Sequence, residues 1–285
     1  MKKLMIIGAS GFIGNGLKEN LKNYEISTYR GRSVTDKSIK ELVNDFEGQD
    51  ILINLAGKTI FTVWTRSNKK EIYNSRMDTV EKIVKALRTM KNPPGHFINA
   101  SAIGVYESET EVDENSEKFD DTFLARTVID WEKSLEPLKD SDIKLSVTRF
   151  GIVLGKNGGA YKVLRTLTRF NIGGYFNKGE QSLSFIWIND LVNAVDFIIR
   201  NKIEGVINIV APKNTDYRQL LKLMKKELNS FIVWKIPGFI MKLIAGEASQ
   251  LVLRGHKVKP PVLIKNNFNF DAPDIETCIQ KLENN

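Results

Sequence analysis

The opening residues, MKKLMIIGASGFIGNGL, constrain the fold more than any other part of the chain. A short apolar strand pattern, Lys3–Ile7, runs directly into Gly8, Gly11 and Gly14 at three-residue spacing, and a helical pattern from about Phe12 to Lys22 follows. A strand that turns through three glycines into a helix is an arrangement for holding a dinucleotide. The first glycine permits the tight turn, the second lets the backbone approach a pyrophosphate, and the third lets helix and strand pack closely. The helix then presents unpaired N–H groups and the positive end of its dipole to the phosphates. Three glycines alone are a weak signal, and the bland alternative is a structural turn; the flanking strand and helix raise the pattern above it. Gly8, Ser10, Gly11, Phe12, Ile13 and Gly14 are therefore the expected cofactor cradle.

The next 130 or so residues repeat one alternation. Strand patterns fall at Glu25–Tyr29, Asp50–Asn54, His96–Ala100 and Lys144–Phe150, and helical patterns near Lys37–Phe46, Ser67–Met90 and Leu124–Leu138. Asn92-Pro93-Pro94-Gly95 stops the longest helix. Short, continuously apolar strands alternating with helices predict an α/β fold: a doubly wound parallel sheet covered on both faces. After about residue 151 glycine-rich loops break the rhythm, and helices are expected near Ala160–Phe170, Asn189–Arg200 and Tyr217–Leu228, with a strand at Val206–Val210. This predicts a nucleotide-binding domain over residues 1–155, to which parts of 185–212 contribute, and a smaller α+β substrate or cap region over 156–285.

The second strand selects the dinucleotide. An acid at its end would hold the adenine ribose of NAD. Here the strand ends Tyr29-Arg30-Gly31-Arg32-Ser33, without an acid. A guanidinium binds phosphate as a fork, so Arg30 and Arg32 suit a 2′-phosphate, and NADP(H) is favoured over NAD(H), with Tyr29 beside the site. The alternative is that one or both arginines are simply exposed.

Composition narrows the function classes. The net charge of +8 is spread along the chain, with no basic block interleaved with aromatics, so nucleic-acid binding is not expected. The densest basic piece, "RGHKVK" (Arg254–Lys259), reads as a solvated loop. One cysteine and two histidines argue against a disulfide and a dedicated His/Cys metal site, and fit a cytoplasmic protein. The N-terminus lacks a signal-peptide cleavage pattern. The apolar stretch Phe231–Ala245, broken by Lys235, Pro237 and Lys242, is too short to span a bilayer, so no membrane partner is expected.

"GASGFIG", "NLAGKTI…W" (Asn54 to Trp64), "NSRMDT" (Asn74–Thr79), "DWE" (Asp130–Glu132), "TRFGIVLGKNGGA" (Thr148–Ala160), "FIWINDLVNA" (Phe185–Ala194) and "RGHKVKP" together cover nearly the whole chain. In them the sequence resembles the extended short-chain dehydrogenase/reductase superfamily. Within it the resemblance is to the NAD-dependent epimerase/dehydratase-like "epimerase family", whose C-terminal segment is a domain of unknown function. The resemblance implies that Leu55, Ala56 and Gly57 line the cofactor. It offers Arg76 as a group reaching the cofactor or a substrate acid, the alternative being a surface ion pair, and Glu71 as a weaker candidate on the same helix. Since that superfamily commonly pairs through its long helices, a homodimer comes with the resemblance.

One feature of the superfamily is missing. Its chemistry normally uses Tyr-x-x-x-Lys on a helix, where the i,i+4 spacing lets the lysine lower the phenol's pKa so that it passes a proton during hydride transfer. Tyr24, Tyr29, Tyr73, Tyr106, Tyr161, Tyr175 and Tyr217 all lack a lysine four places on. In "DDTFLARTVIDWEKS" the two positions fall on Leu124 and Val128, or after a one-residue slip on Phe123 and Thr127. Loss of such a proton donor typically costs about 10²–10⁴-fold in rate. Ser101 stands near the superfamily's substrate-polarising serine, though the register could equally place Ala102 there. Tyr106 is a weak candidate for the missing acid, or a locally packed phenol. Arg149 is placed to hold an anionic substrate or a carboxylate of the fold. Trp64 and Trp187 wall a pocket or pack in the core, and Asp190 is expected to cap its own helix. Two readings follow: an NADP(H)-dependent oxidoreductase or nucleotide-sugar-epimerase-like enzyme with an altered proton donor, acting on an unidentified small molecule, or a non-catalytic NADP(H)-sensing protein.

Overall fold

Apolar runs long enough to be buried on both faces become the strands of one sheet. The computed structural model describes residues 1–231 and 233–284. The chain begins β1 (Lys2–Ile7), α1 (Phe12–Asn20), β2 (Tyr24–Tyr29), α2 (Gly31–Asp36), α3 (Ile39–Phe46), β3 (Ile51–Asn54), α4 (Arg66–Thr89) and β4 (His96–Ala102). A two-residue strand, β5 (Glu111–Val112), lies in the loop before α5 (Phe123–Lys133) and β6 (Lys144–Phe150). Then come β7 (Ile152–Gly155), α6 (Gly159–Arg169), β8 (Gly174–Phe176), β9 (Ser182–Leu183), β10 (Phe185–Trp187), α7 (Ile188–Asn201) and β11 (Gly205–Ile209).

Six of these strands form one parallel sheet in the order β11-β6-β4-β3-β1-β2. The chain leaves β1 for β2 on one side and returns to β3 on the other, so the strand order reverses between β1 and β3. In open α/β sheets, ligands bind at such a switch point, outside the carboxyl ends of the strands. The register pairs Ile7 with Asn54, so Gly8 and Leu55 leave the sheet side by side. Leu42, Phe46, Val80, Ile83, Val84 and Trp131 bury one face of the sheet under α3, α4 and α5. Leu17, Leu191, Val195 and Ile198 bury the other under α1 and α7.

Outside the sheet, β7 pairs with β10, and a further core joins Leu154, Tyr161, Phe185 and Trp187 to β12 (Thr215–Asp216) and α8 (Tyr217–Glu227), through Leu220 and Met224, and to the C-terminal helix at Cys278 and Ile279. Between these lie β13 (Trp234–Ile236), α9 (Gly238–Ala245), α10 (Gln250–Leu253) and β14 (Lys257–Val258).

Several local expectations are corrected. The turn after β2 is itself helical, as α2, which was not expected, whereas the helix expected near Lys37–Phe46 is present as α3, capped by Ser38, whose hydroxyl and Glu41 form a reciprocal capping box. The helix expected over Leu124–Leu138 ends at Lys133 and gives way to a 3₁₀ turn containing Pro137, which has no N–H to continue it. Asp190 does not cap α7: its buried carboxylate accepts the backbone N–H groups of Asp271 and Ala272, both at 2.9 Å, and ties the C-terminal segment to the sheet. "RGHKVK" is a clip rather than a solvated loop. Arg254 pairs with Asp120, β14 pairs with β5, Val258 is buried, and a Cβ on Gly255 would lie 2.3 Å from the Ser182 nitrogen.

Candidate cofactor and substrate site

Three turns meet at the ends of β1 and β3, and the outer two glycines make the tight turn and the close helix packing that the sequence pattern predicts. Gly8 has φ +86°, and its N–H donates to the Tyr29 carbonyl at 2.8 Å. A Cβ there would stand 3.0 Å from the Leu55 carbonyl carbon and the Ala56 nitrogen. A Cβ on Gly14 would stand 2.6 Å from the Ala9 Cα. Gly11 is different: its φ is −75°, and a Cβ would meet nothing nearer than the Gly8 carbonyl oxygen at 3.5 Å. The fold itself requires the outer two glycines, whereas the middle one keeps open the space in front of α1. That helix has Gly11 as its N-cap and no side chain accepting its first N–H groups, which leaves them for an anion. Ser10 is exposed beside them and Ile13 packs into the sheet core. Phe12 lends the cradle its backbone, but its ring is spent elsewhere: a Cβ on Gly155 would lie 2.4 Å from it, and one on Gly158, 2.2 Å. The "GKNGG" turn thus closes over Phe12.

At the end of β2 the Tyr29 hydroxyl donates to Asp45 at 2.6 Å, and Asp45 also accepts from Lys37, so that side chain belongs to α3. Arg30 and Arg32 are exposed, and among the described residues neither forms an ion pair within 4 Å. They bracket Gly31, where a Cβ would lie 2.8 Å from the Ala56 Cβ, so both cations flank a backbone that touches the β3 loop. Glu71 is exposed and paired with Lys58 at 2.5 Å, which lowers its carboxyl pKa together with the nearby Arg32 charge.

The β3 loop is shaped by buried Asn54. Its Nδ2 donates to Asn99 Oδ1 at 2.7 Å, and its Oδ1 accepts the Ala56 N–H at 3.1 Å, bending Leu55–Gly57. Against Gly57 lies the Arg76 guanidinium, 3.1 Å from where a Cβ would be. Arg76 donates to the Ile72 and Lys58 carbonyls at 2.9 and 3.2 Å and stacks 5.3 Å from the Trp131 ring centre. No carboxylate pairs with it among the described residues, and burial draws its pKa down to about 10. Arg76 is thus no surface ion pair. A half-buried cation with no counter-ion among the described residues, beside an open turn, suits an anionic ligand.

The ends of β4 and β6 carry a closed polar network. Arg149, 4 % exposed, grips Glu132 of α5 with two bonds, Nε to Oε1 at 2.8 Å and Nη2 to Oε2 at 2.6 Å. Of the two roles expected for Arg149, the one it fills is that of partner to a carboxylate of the fold. Ser101 Oγ donates to Glu132 Oε1 at 2.5 Å. The Tyr106 hydroxyl accepts from Arg149 Nη1 at 2.7 Å and donates to Asn208 Oδ1 at 3.0 Å. Tyr106 is fully buried, and burial raises its pKa against the opposing pull of Arg149. Packing and local hydrogen bonding therefore account for Tyr106. Glu132 and Asn208 were absent from the expected site residues; "DWE" marked the first only as part of a motif, and nothing local marked the second.

The helix that should bear the phenol and lysine offers neither under either register. Phe123 and Leu124 join Trp64, Ile72 and Ala248 in an apolar cluster. The Thr127 hydroxyl is bonded to the Phe123 carbonyl at 2.8 Å, and Val128 is buried with Ile103 and Tyr106. Trp64 is buried, donating to the Ile60 carbonyl and meeting Phe123 edge-on, and Trp187 is buried under Lys281. Among the described residues no cluster of His, Cys, Asp and Glu converges to hold a metal, and no helix is long and apolar enough to cross a membrane.

Residues 4–210 match the family model of the NAD dependent epimerase/dehydratase family, and residues 236–282 match a domain of unknown function, DUF1731. The chain is 31% identical over 236 residues to epimerase family protein YfhF of Bacillus subtilis, covering 82% of this chain and 78% of that one. Its fold is similar to the human epimerase family protein SDR39U1 (isoform 2), solved with NADPH, at a TM-score of 0.90 and 23% identity, with 99% of both chains covered. It is also similar to the dTDP-4-dehydrorhamnose reductase of Bacillus anthracis, solved in complex with NADP, at 0.77 and 16% identity over 99% of both chains.

Proposed function

We propose, from the premise that the chain belongs to the NAD-dependent epimerase/dehydratase family, that it binds NADP(H) at the Gly8–Gly14 turn and serves as an oxidoreductase or epimerase-like enzyme of altered proton chemistry. The observation that carries this reading is the pairing of an open glycine cradle with Arg30 and Arg32 at a strand end that has no acid. The first-turn N–H groups of α1 would receive the pyrophosphate, and the two exposed arginines the 2′-phosphate. Leu55–Gly57 would border the nicotinamide ribose, and Arg76 would offset negative charge on the ligand. NADPH in one structural relative and NADP in another are in keeping with this assignment. When bound, such a group supplies or takes up a hydride.

The chain's own contribution to a proton step is restricted. Ser101 is the hydroxyl of the β4 end that touches Glu132, and Tyr106 is enclosed. The same restriction favours a second reading, an NADP(H)-sensing protein that binds without turnover. NADPH oxidation against carbonyl compounds and sugar nucleotides separates the two. Turnover that depends on Ser101 supports the enzyme, and tight NADPH binding with no turnover across the panel supports the sensor.

A further inference from the structure

Among the described residues of the apolar stretch 231–245, Val233 and Ala245 pack against core clusters, but most of the large apolar side chains do not. In α9 (GFIMKLIA) only Gly238 is buried; Leu243 is 79% exposed, and Phe239 and Ile244 are exposed with it. Just before it, Phe231 is 81% and Trp234 52% exposed. These belong to one surface with Phe170 and Ile172, because the residue between that pair, Asn171, gathers the strand in. Asn171 Oδ1 accepts from Ser230 Oγ and the Phe231 N–H, and its carbonyl accepts from Trp234 Nε1, all at 2.8 Å. β13 then pairs with β8, and Asn177 Oδ1 accepts the Gly238 N–H. Seven exposed large apolar side chains thus sit on two segments laced together by hydrogen bonds, which is more than isolated surface hydrophobics amount to.

The charge on those segments selects the occupant. Residues 159–178 and 228–246 contain no Asp or Glu. They contain Lys162, Arg165, Arg169, Lys178, Lys235 and Lys242, of which, among the described residues, only Arg165 has an acidic partner within 4 Å, Glu283. A second copy of the chain docked here about a two-fold axis would bring cations against cations. Exposed aromatic and aliphatic side chains on segments that carry lysine and arginine and no acid match an anionic lipid interface instead, where the apolar groups enter the acyl boundary and the cations meet the headgroups. We infer that the surface formed by α9, β13 and the 170–172 loop is a docking site for anionic membranes, which the chain lies on and does not span. The inference is independent of the cofactor reading.

Vesicle flotation of the full chain tests it, with phosphatidylcholine alone and with phosphatidylcholine containing about one-third phosphatidylglycerol. Binding to the anionic vesicles only, lost at high salt, is expected. Trp64, Trp131 and Trp187 are buried, so a blue shift of tryptophan emission on binding reports Trp234. Lys235→Glu with Lys242→Glu is expected to weaken binding on the order of 10- to 100-fold, as is Leu243→Ser with Ile244→Ser. All four side chains are exposed, so unchanged melting is expected for both variants. No vesicle binding, equal binding to both compositions, or binding unaffected by either pair of substitutions would overturn the inference. So would a dimer that Leu243→Ser with Ile244→Ser converts to monomer without any effect on vesicles.

Discussion

Gly11→Ala and Gly14→Ala should fail in opposite ways, although they alter the same turn by the same methyl group. Gly14 lies inside α1, so alanine gains about 1 kcal/mol of helix propensity. Against that, the new Cβ stands 2.6 Å from Ala9 Cα, 2.7 Å from the Gly8 oxygen and 2.8 Å from the Ala9 carbonyl carbon. All three are backbone atoms, so α1 must move off the strand, an overpacking cost of about 1–3 kcal/mol. Net destabilisation of up to about 2 kcal/mol is expected, with nucleotide affinity falling as the cradle shifts. At Gly11 the backbone already suits alanine. The poorer N-cap costs up to about 1 kcal/mol, and the less flexible unfolded chain returns about 0.4–1 kcal/mol, so stability should be unchanged within about 0.5 kcal/mol. The methyl then occupies the space in front of the helix, and NADPH affinity should fall about 10- to 100-fold, or about 1.4–2.8 kcal/mol. Urea unfolding and titration calorimetry read the two quantities separately. A Gly11→Ala protein that binds NADPH as tightly as the parent would refute the placement of the pyrophosphate.

Other consequences follow from the same geometry. Arg30→Ala should weaken NADPH about 10- to 100-fold and NADH little, by loss of a charged hydrogen bond; titration with both tests this, and equal losses would sink the phosphate assignment. Arg149→Met leaves Glu132 half-enclosed without its cation and should destabilise by about 3–5 kcal/mol, much of it recovered by adding Glu132→Gln; a urea double-mutant cycle showing additivity would count against the pair. Tyr106→Phe removes bonds to Arg149 and Asn208 and should cost about 1–3 kcal/mol of stability while leaving any turnover in place. Abolished turnover in a folded Tyr106→Phe protein would restore the phenol as an acid. His96 is buried against Ser146 at 2.7 Å, and burial lowers its pKa from near 6.5 to about 4. The unfolded chain takes up that proton first, so stability is full above pH 6.5 and falls by about 3 kcal/mol as the pH drops towards 4. His96→Gln should flatten that part of a pH-dependent unfolding series.

What could be read from the sequence was local. The six sheet strands are legible as short strand patterns, from the apolar runs of β1 and β3 to the mixed sequences of β2 and β6, and Gly8 and Gly14 sit where a turn and a close helix contact need them. Partners that topology alone brings together were not legible. Glu132 and Arg149 are seventeen residues apart, on a helix and a strand, and neither shows the other in any periodicity. The tie from Asp190 crosses 81 residues to Asp271 and overrides the capping that its position near the start of α7 suggested. The expectation that put Phe12 in the glycine turn says nothing of its ring, which fills the "GKNGG" turn because those glycines leave room for it. Arg76 shows the same limit. Its helix position allowed a surface ion pair, and only the packing of Gly57 and Trp131 around it shows a half-buried cation with no counter-ion among the described residues.

The glycine cradle and its arginine rim are proposed to hold NADP(H). A thermal or urea shift with NADPH, NADP, NADH and NAD, each at the same concentration, tests it most directly. At about 100 times its dissociation constant a ligand stabilises by roughly 2.7 kcal/mol. NADPH and NADP are expected to produce a shift of that size at concentrations where NADH and NAD produce little. Greater stabilisation by NADH than by NADPH, or none by any of the four, would contradict the claim.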